Sequence, residues 1–206
     1  MKTTPKSWLI GVALAALAAF AAPVAVAQTH PAFATVSFET TSIPVGAAEF
    51  CSQRPAECGR NADLVGETTL TEALWSDLVA INNQANGAIV PVTDQDLYQV
   101  AEFWTYPDSG YGDCEDIALA KRRELIARGW APSTLLMAVA RQANGEGHAV
   151  LMVRTDRGDL VLDNLDSTIR VWTDSPYHFL KRQSQANSAQ WVDIVDERPI
   201  VVASRQ

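Results

Sequence analysis

An α+β domain, with helices leading and an antiparallel sheet following, is the fold class this sequence predicts. Two stretches before residue 130 carry apolar residues at helical spacing. Beyond residue 134 the pattern changes to short apolar runs separated by Asn-Gly and Arg-Gly turns. The chain has 206 residues, 48% of them hydrophobic, which suits one domain with a sizeable core.

The N-terminus has a separate role. Lys2 and Lys6 precede an apolar run from Leu9, and Ala25-Val26-Ala27 is a small-residue cleavage signal. Residues 1–27 therefore read as a secretory signal peptide, with one domain over 28–206. The other reading is a membrane anchor, but the run is Ala-rich and broken by Pro23. No later stretch is long and apolar enough to span a bilayer, so no stable membrane insertion is expected after cleavage.

From Gln28 to about Asp63 the scattered Pro and Gly show no period, and the segment reads as irregular. Residues 68–85 place Leu70, Leu74, Leu78 and Ile81 on one helical face, with Trp75 beside them. Thr69 or Thr71 can cap this helix, and Asn86-Gly87 should end it. Residues 94–104 form a short helix or turn, and Pro107, Gly110 and Gly112 force a loop. A helix over 114–128 follows, with Asp113 as N-cap, basic residues toward its C-terminal half and Gly129 as its stop. Strands are expected over 134–142, 148–155 and 159–164, turning at Asn144-Gly145 and Arg157-Gly158. Shorter strands are expected near 168–172, 177–182 and 190–195.

The formal charge is −8, and loss of Lys2 and Lys6 with the signal peptide makes it −10. An acidic surface argues against nucleic acid as a partner and is compatible with a divalent cation. There are three cysteines. Cys51 and Cys58 flank Pro55 in FCSQRPAEC, where a disulfide can close a short loop, leaving Cys114 over. Two other arrangements stay open: Cys114 paired with one of them, or Cys114 buried and inert.

Cys114 stands in GYGDCED at the head of the 114–128 helix, between Asp113 and Glu115, with Asp116 next. Carboxylates raise a thiol's pKa, so either this cysteine is structural or a cation offsets them. The helix dipole and the N–H groups at its start favour a thiolate and can bind an oxyanion. A cysteine nucleophile needs an imidazole base and an acceptor to orient it. His148 opens the central strand after the NGEG turn; His30 lies near the cleavage site, and His178 lies in a Tyr-His-Phe context. A histidine at a strand start is more often structural, so the Cys114–His148 pairing is modest evidence by itself. Asp163 in VLDN is the best candidate acceptor, with Asp166 behind it. A two-residue turn at Arg157-Gly158 would put Asp163 four residues along from His148, about 13 Å away. A bulge or longer loop has to close that gap.

These residues carry a resemblance. GYGDCEDIALAKRRELIARGW followed by GEGHAVLMVRTDRGDLVLDN resembles the bacterial transglutaminase-like cysteine peptidases, the LapG-type periplasmic family. The FC…P…EC segment is also similar to the N-terminal region of some members. The resemblance implies a papain-like, transglutaminase-like fold, with the nucleophile's helix packed on an antiparallel sheet. It implies Cys114 as nucleophile, His148 as general base and acid, and Asp163 as the residue orienting His148. It further implies Ca²⁺ bound with help from Asp113 and Glu115, and Asp116 as a helper. The bland alternative is that Asp113 and Asp116 cap the helix. The implied substrate is a large surface adhesin cleaved in the periplasm to disperse biofilm, and the implied inhibitor is an inner-membrane cyclic-di-GMP receptor. Acyl transfer to an amine, as in transglutaminases, uses the same residues. A secreted binding protein with a relic triad is the non-enzymatic alternative. Trp104 could line the groove, but its type favours the core.

Overall fold

The computed structural model describes Met1 and residues 32–199. The expected signal peptide, Met1 aside, lies outside the described residues, as do its cleavage site and His30.

The sheet has seven strands, all neighbours antiparallel, in the order β1-β9-β8-β4-β5-β6-β7. The strands are β1 (Val36–Thr41), β4 (Leu135–Arg141), β5 (Gly147–Thr155), β6 (Gly158–Leu162), β7 (Arg170–Val171), β8 (His178–Gln183) and β9 (Trp191–Ile194). A separate parallel pair joins β2 (Val90–Pro91) to β3 (Tyr111–Gly112). The helices are α1 (Val45–Gln53), α2 (Glu72–Ala88), α3 (Asp94–Tyr98) and α4 (Cys114–Ala127).

The central strand β5 is covered on both faces, which is why it reads as a continuous apolar run. Ala149, Leu151 and Val153 pack with Leu78 and Ile81 of α2 and Ala118 and Leu125 of α4. The alternate residues Val150 and Met152 pack with Trp172, Tyr177 and Phe179 on the other face. Trp104 is a core residue, 4% exposed, and meets Trp191 edge-on.

Three expectations need correction. The segment 28–63 is not irregular throughout: it contains β1 and α1. β1 is an edge strand with little burial, so it shows no alternation, and α1 buries only Gly46, Ala47 and Phe50. The helix expected over 68–85 begins at Glu72 with Thr71 as its cap, and it runs through Asn86-Gly87 to Ala88. Asn86 does not stop it because its side chain is occupied elsewhere, donating to the Asp163 carbonyl at 2.8 Å. Finally, the β5–β6 turn is not Arg157-Gly158. Thr155 pairs with Gly158, so Asp156 and Arg157 make the turn, and Gly158 enters the strand at φ +111.

α4 has the expected start and the expected stop, but not the expected cap. Gly129, at φ +91, ends it, and the Trp130 N–H returns to the Leu125 carbonyl. Asp113 occupies the N-cap position, yet its side chain makes no capping bond. Lys121 and Arg122 are buried instead of solvated at the helix end.

Candidate active site

The β2–β3 ladder fixes the approach to α4. Val90 pairs with Tyr111 and Pro91 with Gly112, which ties the loop before Cys114 to the segment leaving α2. Gly112 has to be glycine for space: a Cβ there would lie 2.7 Å from Asp116 Oδ2. Cys114 is then presented as the first residue of α4, half-buried against the start of β5. Cys51 and Cys58 form a disulfide, and Cys114 is a free thiol.

Cys114 Sγ accepts from the Ala149 N–H at 3.4 Å and donates to Glu115 Oε2 at 3.0 Å. Burial, then the Glu115 carboxylate, push this thiol far above its ordinary pKa. His148, the residue before Ala149, is buried, and its Nε2 lies 2.8 Å from Asp163 Oδ1. No hydrogen bond joins Cys114 to His148 among the described residues. The same Asp163 oxygen accepts from the Leu165 N–H at 3.0 Å, and Tyr177 Oη donates to Asp163 Oδ2. Burial raises the Asp163 pKa, but the His148 and Tyr177 hydrogen bonds outweigh it and hold the carboxyl below the ordinary range. An ionised Asp163 is an acceptor, so it assigns the proton to His148 Nε2 and leaves Nδ1 free.

The observed register explains why this contact forms. Leu151 pairs with Leu162, so continuing the ladder sets Asp163 opposite Val150, two residues from His148 and on the same face. That halves the gap a turn at Arg157-Gly158 would leave. The chain leaves the strand after Leu162, and the carboxylate swings across to the imidazole. Asp166, the second candidate, turns away and pairs with Arg170 at 2.6 Å.

The three acids around Cys114 come together with two that have no sequence signal. Asp94 and Glu102 share a cluster with Glu115, and Asp94 shares another with Asp113 and Asp116, each with ligand atoms within 4.8 Å of one another. The wiring of this cluster is regular. Asp94 Oδ2 accepts from the Phe103 N–H, Asp113 Oδ2 from the Asp94 N–H at 3.3 Å, and Asp116 Oδ1 from the Thr105 N–H at 2.7 Å. In each case the other oxygen, Asp94 Oδ1, Asp113 Oδ1 or Asp116 Oδ2, is buried with no partner. Burial, reinforced by mutual repulsion, pushes Asp94 to about 6, Glu115 to about 9 and Asp116 to about 8. Several hard oxygen donors, three orphaned and each anchored by a backbone N–H, fit a Ca²⁺ site. Asp94 and Glu102 could not be found by spacing, because the link to Cys114 runs through α3 and the unpredicted β2–β3 pair.

A free cysteine at a helix N-terminus, against a strand whose histidine meets a carboxylate from the end of the next strand, places the protein among cysteine hydrolases of papain-like architecture. Residues 37–199 match the family model of the bacterial transglutaminase-like cysteine proteinases. The chain belongs to that family and is a cysteine peptidase with the α+β fold its sequence predicts.

Among solved structures it is similar to calcium-bound LapG of Legionella pneumophila, with 21% identity and a TM-score of 0.49 over 61% of this chain and 71% of that one. It is also similar to EGTA-treated LapG of the same organism, with 26% identity and a TM-score of 0.47 over 53% and 62%. A third L. pneumophila LapG structure gives 25% identity and a TM-score of 0.46 over 53% and 63%. The chain thus spans less than two thirds of the latter two. Comparison with curated proteins found no match. Among the described residues no helix is long and apolar enough to cross a membrane.

Proposed function

We propose that this peptidase is a calcium-dependent endopeptidase of the periplasm, exported by the signal peptide 1–27, with Cys114, His148 and Asp163 as its triad. The observation that carries the reading is the 2.8 Å His148–Asp163 contact, one residue from the N–H that contacts Cys114 Sγ. Cys114 attacks the scissile carbonyl carbon, and the displaced π electrons move onto oxygen. The backbone N–H at the start of α4 is the candidate donor to that oxyanion. His148 Nδ1 takes the thiol proton and delivers it to the leaving amine. Water then adds to the thioester, giving its proton back to Nδ1 as the thiolate departs. Asp163 holds Nε2–H throughout and stabilises the imidazolium.

Asp94, Glu102, Asp113, Glu115 and Asp116 would hold the Ca²⁺. A bound ion would supply positive charge that offsets the carboxylates opposing a thiolate.

The sequence resemblance supports a large surface adhesin as substrate and biofilm release as the outcome. The resemblance also supports an inner-membrane cyclic-di-GMP receptor as inhibitor.

The first test is intact-mass alkylation of purified 28–206 by iodoacetamide across pH, with calcium and with a chelator. One rapid adduct below pH 7, mapped to Cys114 and dependent on calcium, is expected. An adduct formed only near pH 9 in both conditions would remove the central support. Substrate assignment is tested on the N-terminal regions of the host's own large surface proteins, where discrete cleavage is expected, without amine incorporation.

A further inference from the structure

We propose that Tyr177 is a positioning residue for the Asp163–His148 pair, and that Arg198 sets it in place. The inference rests on the triad reading above. Tyr177 is 8% exposed and touches both partners. Its hydroxyl donates to Asp163 Oδ2, the oxygen His148 does not use. Its ring stands 4.8 Å from the imidazole, centroid to centroid, tilted by 56°. Asp163 is thus held at three points: His148 and the Leu165 N–H on Oδ1, and Tyr177 on Oδ2. Without the third point the carboxylate can rotate about its χ2, a broad torsion, and lose its line to Nε2. The tyrosine ring also covers one side of the imidazole, which keeps water from competing for the Nε2 proton.

Tyr177 lies between the turn at Trp172–Asp174 and β8, where the backbone has few ladder bonds of its own. Arg198 supplies the missing order. Its Nη1 donates to the carbonyls of Trp172, Thr173 and Ser175 at 3.1, 2.8 and 3.1 Å, and its Nη2 donates to the Tyr177 carbonyl at 2.6 Å. Asp196 holds the guanidinium from the far side, at 2.8 Å to Nε and 2.7 Å to Nη2. The planar fork of Arg suits this collection of carbonyls, and Lys cannot reproduce it. A residue near the C-terminal end of the described chain thereby sets the aim of the pair through Tyr177.

The test compares the wild type with Tyr177→Phe, Arg198→Lys, Asp163→Asn and His148→Ala, in calcium. Two readouts need no substrate: the ¹⁵N shifts of the His148 ring, which report its tautomer, and the iodoacetamide rate at Cys114. Tyr177→Phe keeps the ring and removes one hydrogen bond. It should leave the thermal midpoint little changed, convert His148 from one tautomer to a mixture, and slow alkylation roughly tenfold, as loss of an orienting partner does. Arg198→Lys should move both readouts in the same direction with the tyrosine hydroxyl present, which covers the case in which Tyr177→Phe folds poorly. Unchanged His148 shifts and a rate within about twofold in both variants, while Asp163→Asn and His148→Ala lose reactivity, would overturn the role of Tyr177 alone. Full reactivity in Asp163→Asn and His148→Ala would overturn the triad reading and this inference with it.

Discussion

Lys121→Met should make this protein more stable, by an amount that depends on pH in a defined way. Lys121 is 1% exposed, and burial pushes its ammonium from 10.5 down to about 7, against the pull of the Asp163 charge. Between about pH 7 and 10.5 the unfolded chain binds a proton that the folded chain does not, so this group makes stability rise with pH across that window. Its full cost is felt below the folded value. A shift from 10.5 to about 7, at about 1.4 kcal/mol per unit, sets a ceiling of about 5 kcal/mol. Relaxation and water penetration around a buried ion bring this to roughly 2–4 kcal/mol. Methionine replaces the aliphatic stem and omits the charge. Urea unfolding of both proteins at pH 6, 8 and 10 should show the variant's advantage near its maximum at pH 6 and nearly gone at pH 10. An advantage that stays constant with pH, or a loss of stability at pH 6, would refute the reasoning.

Asp163→Asn should lower kcat by about 10²–10⁴-fold with a much smaller effect on KM, because an amide in that place misorients the imidazole; steady-state kinetics on a cleaved protein check it. Calcium at about 100 times its Kd should add about 2.7 kcal/mol of stability, seen as a rise of roughly 5–10 °C in Tm. Asp94→Asn should cut that rise even though residue 94 lies 19 positions before Asp113. Replacing Cys51 and Cys58 with serine opens a loop of sequence separation 7 and should cost about 2 kcal/mol by denaturant unfolding, leaving Cys114 alkylation in place.

The helix of Cys114 and the central strand were legible because each has a local signature, whereas the grouping of Cys114, His148 and Asp163 as a triad came from the family resemblance. GDCED sits at a capping position, HAVLMV is an uninterrupted buried strand, and Gly129 and Gly145 mark positive-φ stops. The hairpin register was not legible. Arg-Gly reads as a two-residue turn, yet Gly158, where a Cβ would lie 2.5 Å from the Ala32 carbonyl oxygen, is glycine for close approach and belongs to the strand. The contacts of Asp94, Glu102 and Tyr177 with the site escaped because they are tertiary. Asp94 looks like a helix-start acid, and Tyr177 looks like one aromatic among several. The N-terminal helix escaped because a nine-residue helix with three buried positions leaves too faint a period to read.

The nucleophile candidate lies between two acids of the cluster, Asp113 and Glu115, at the N-terminal end of α4. In most switched enzymes the control input is remote, and a hinge or a shifting subunit carries it to the chemistry. In the calcium-dependent enzyme proposed here, the ion's ligands and the thiol would be separated by one peptide unit. With Ca²⁺ bound as proposed, the charge in the cluster would act on the thiol directly through the field. Such an arrangement would respond to the divalent cation as fast as the ion exchanges.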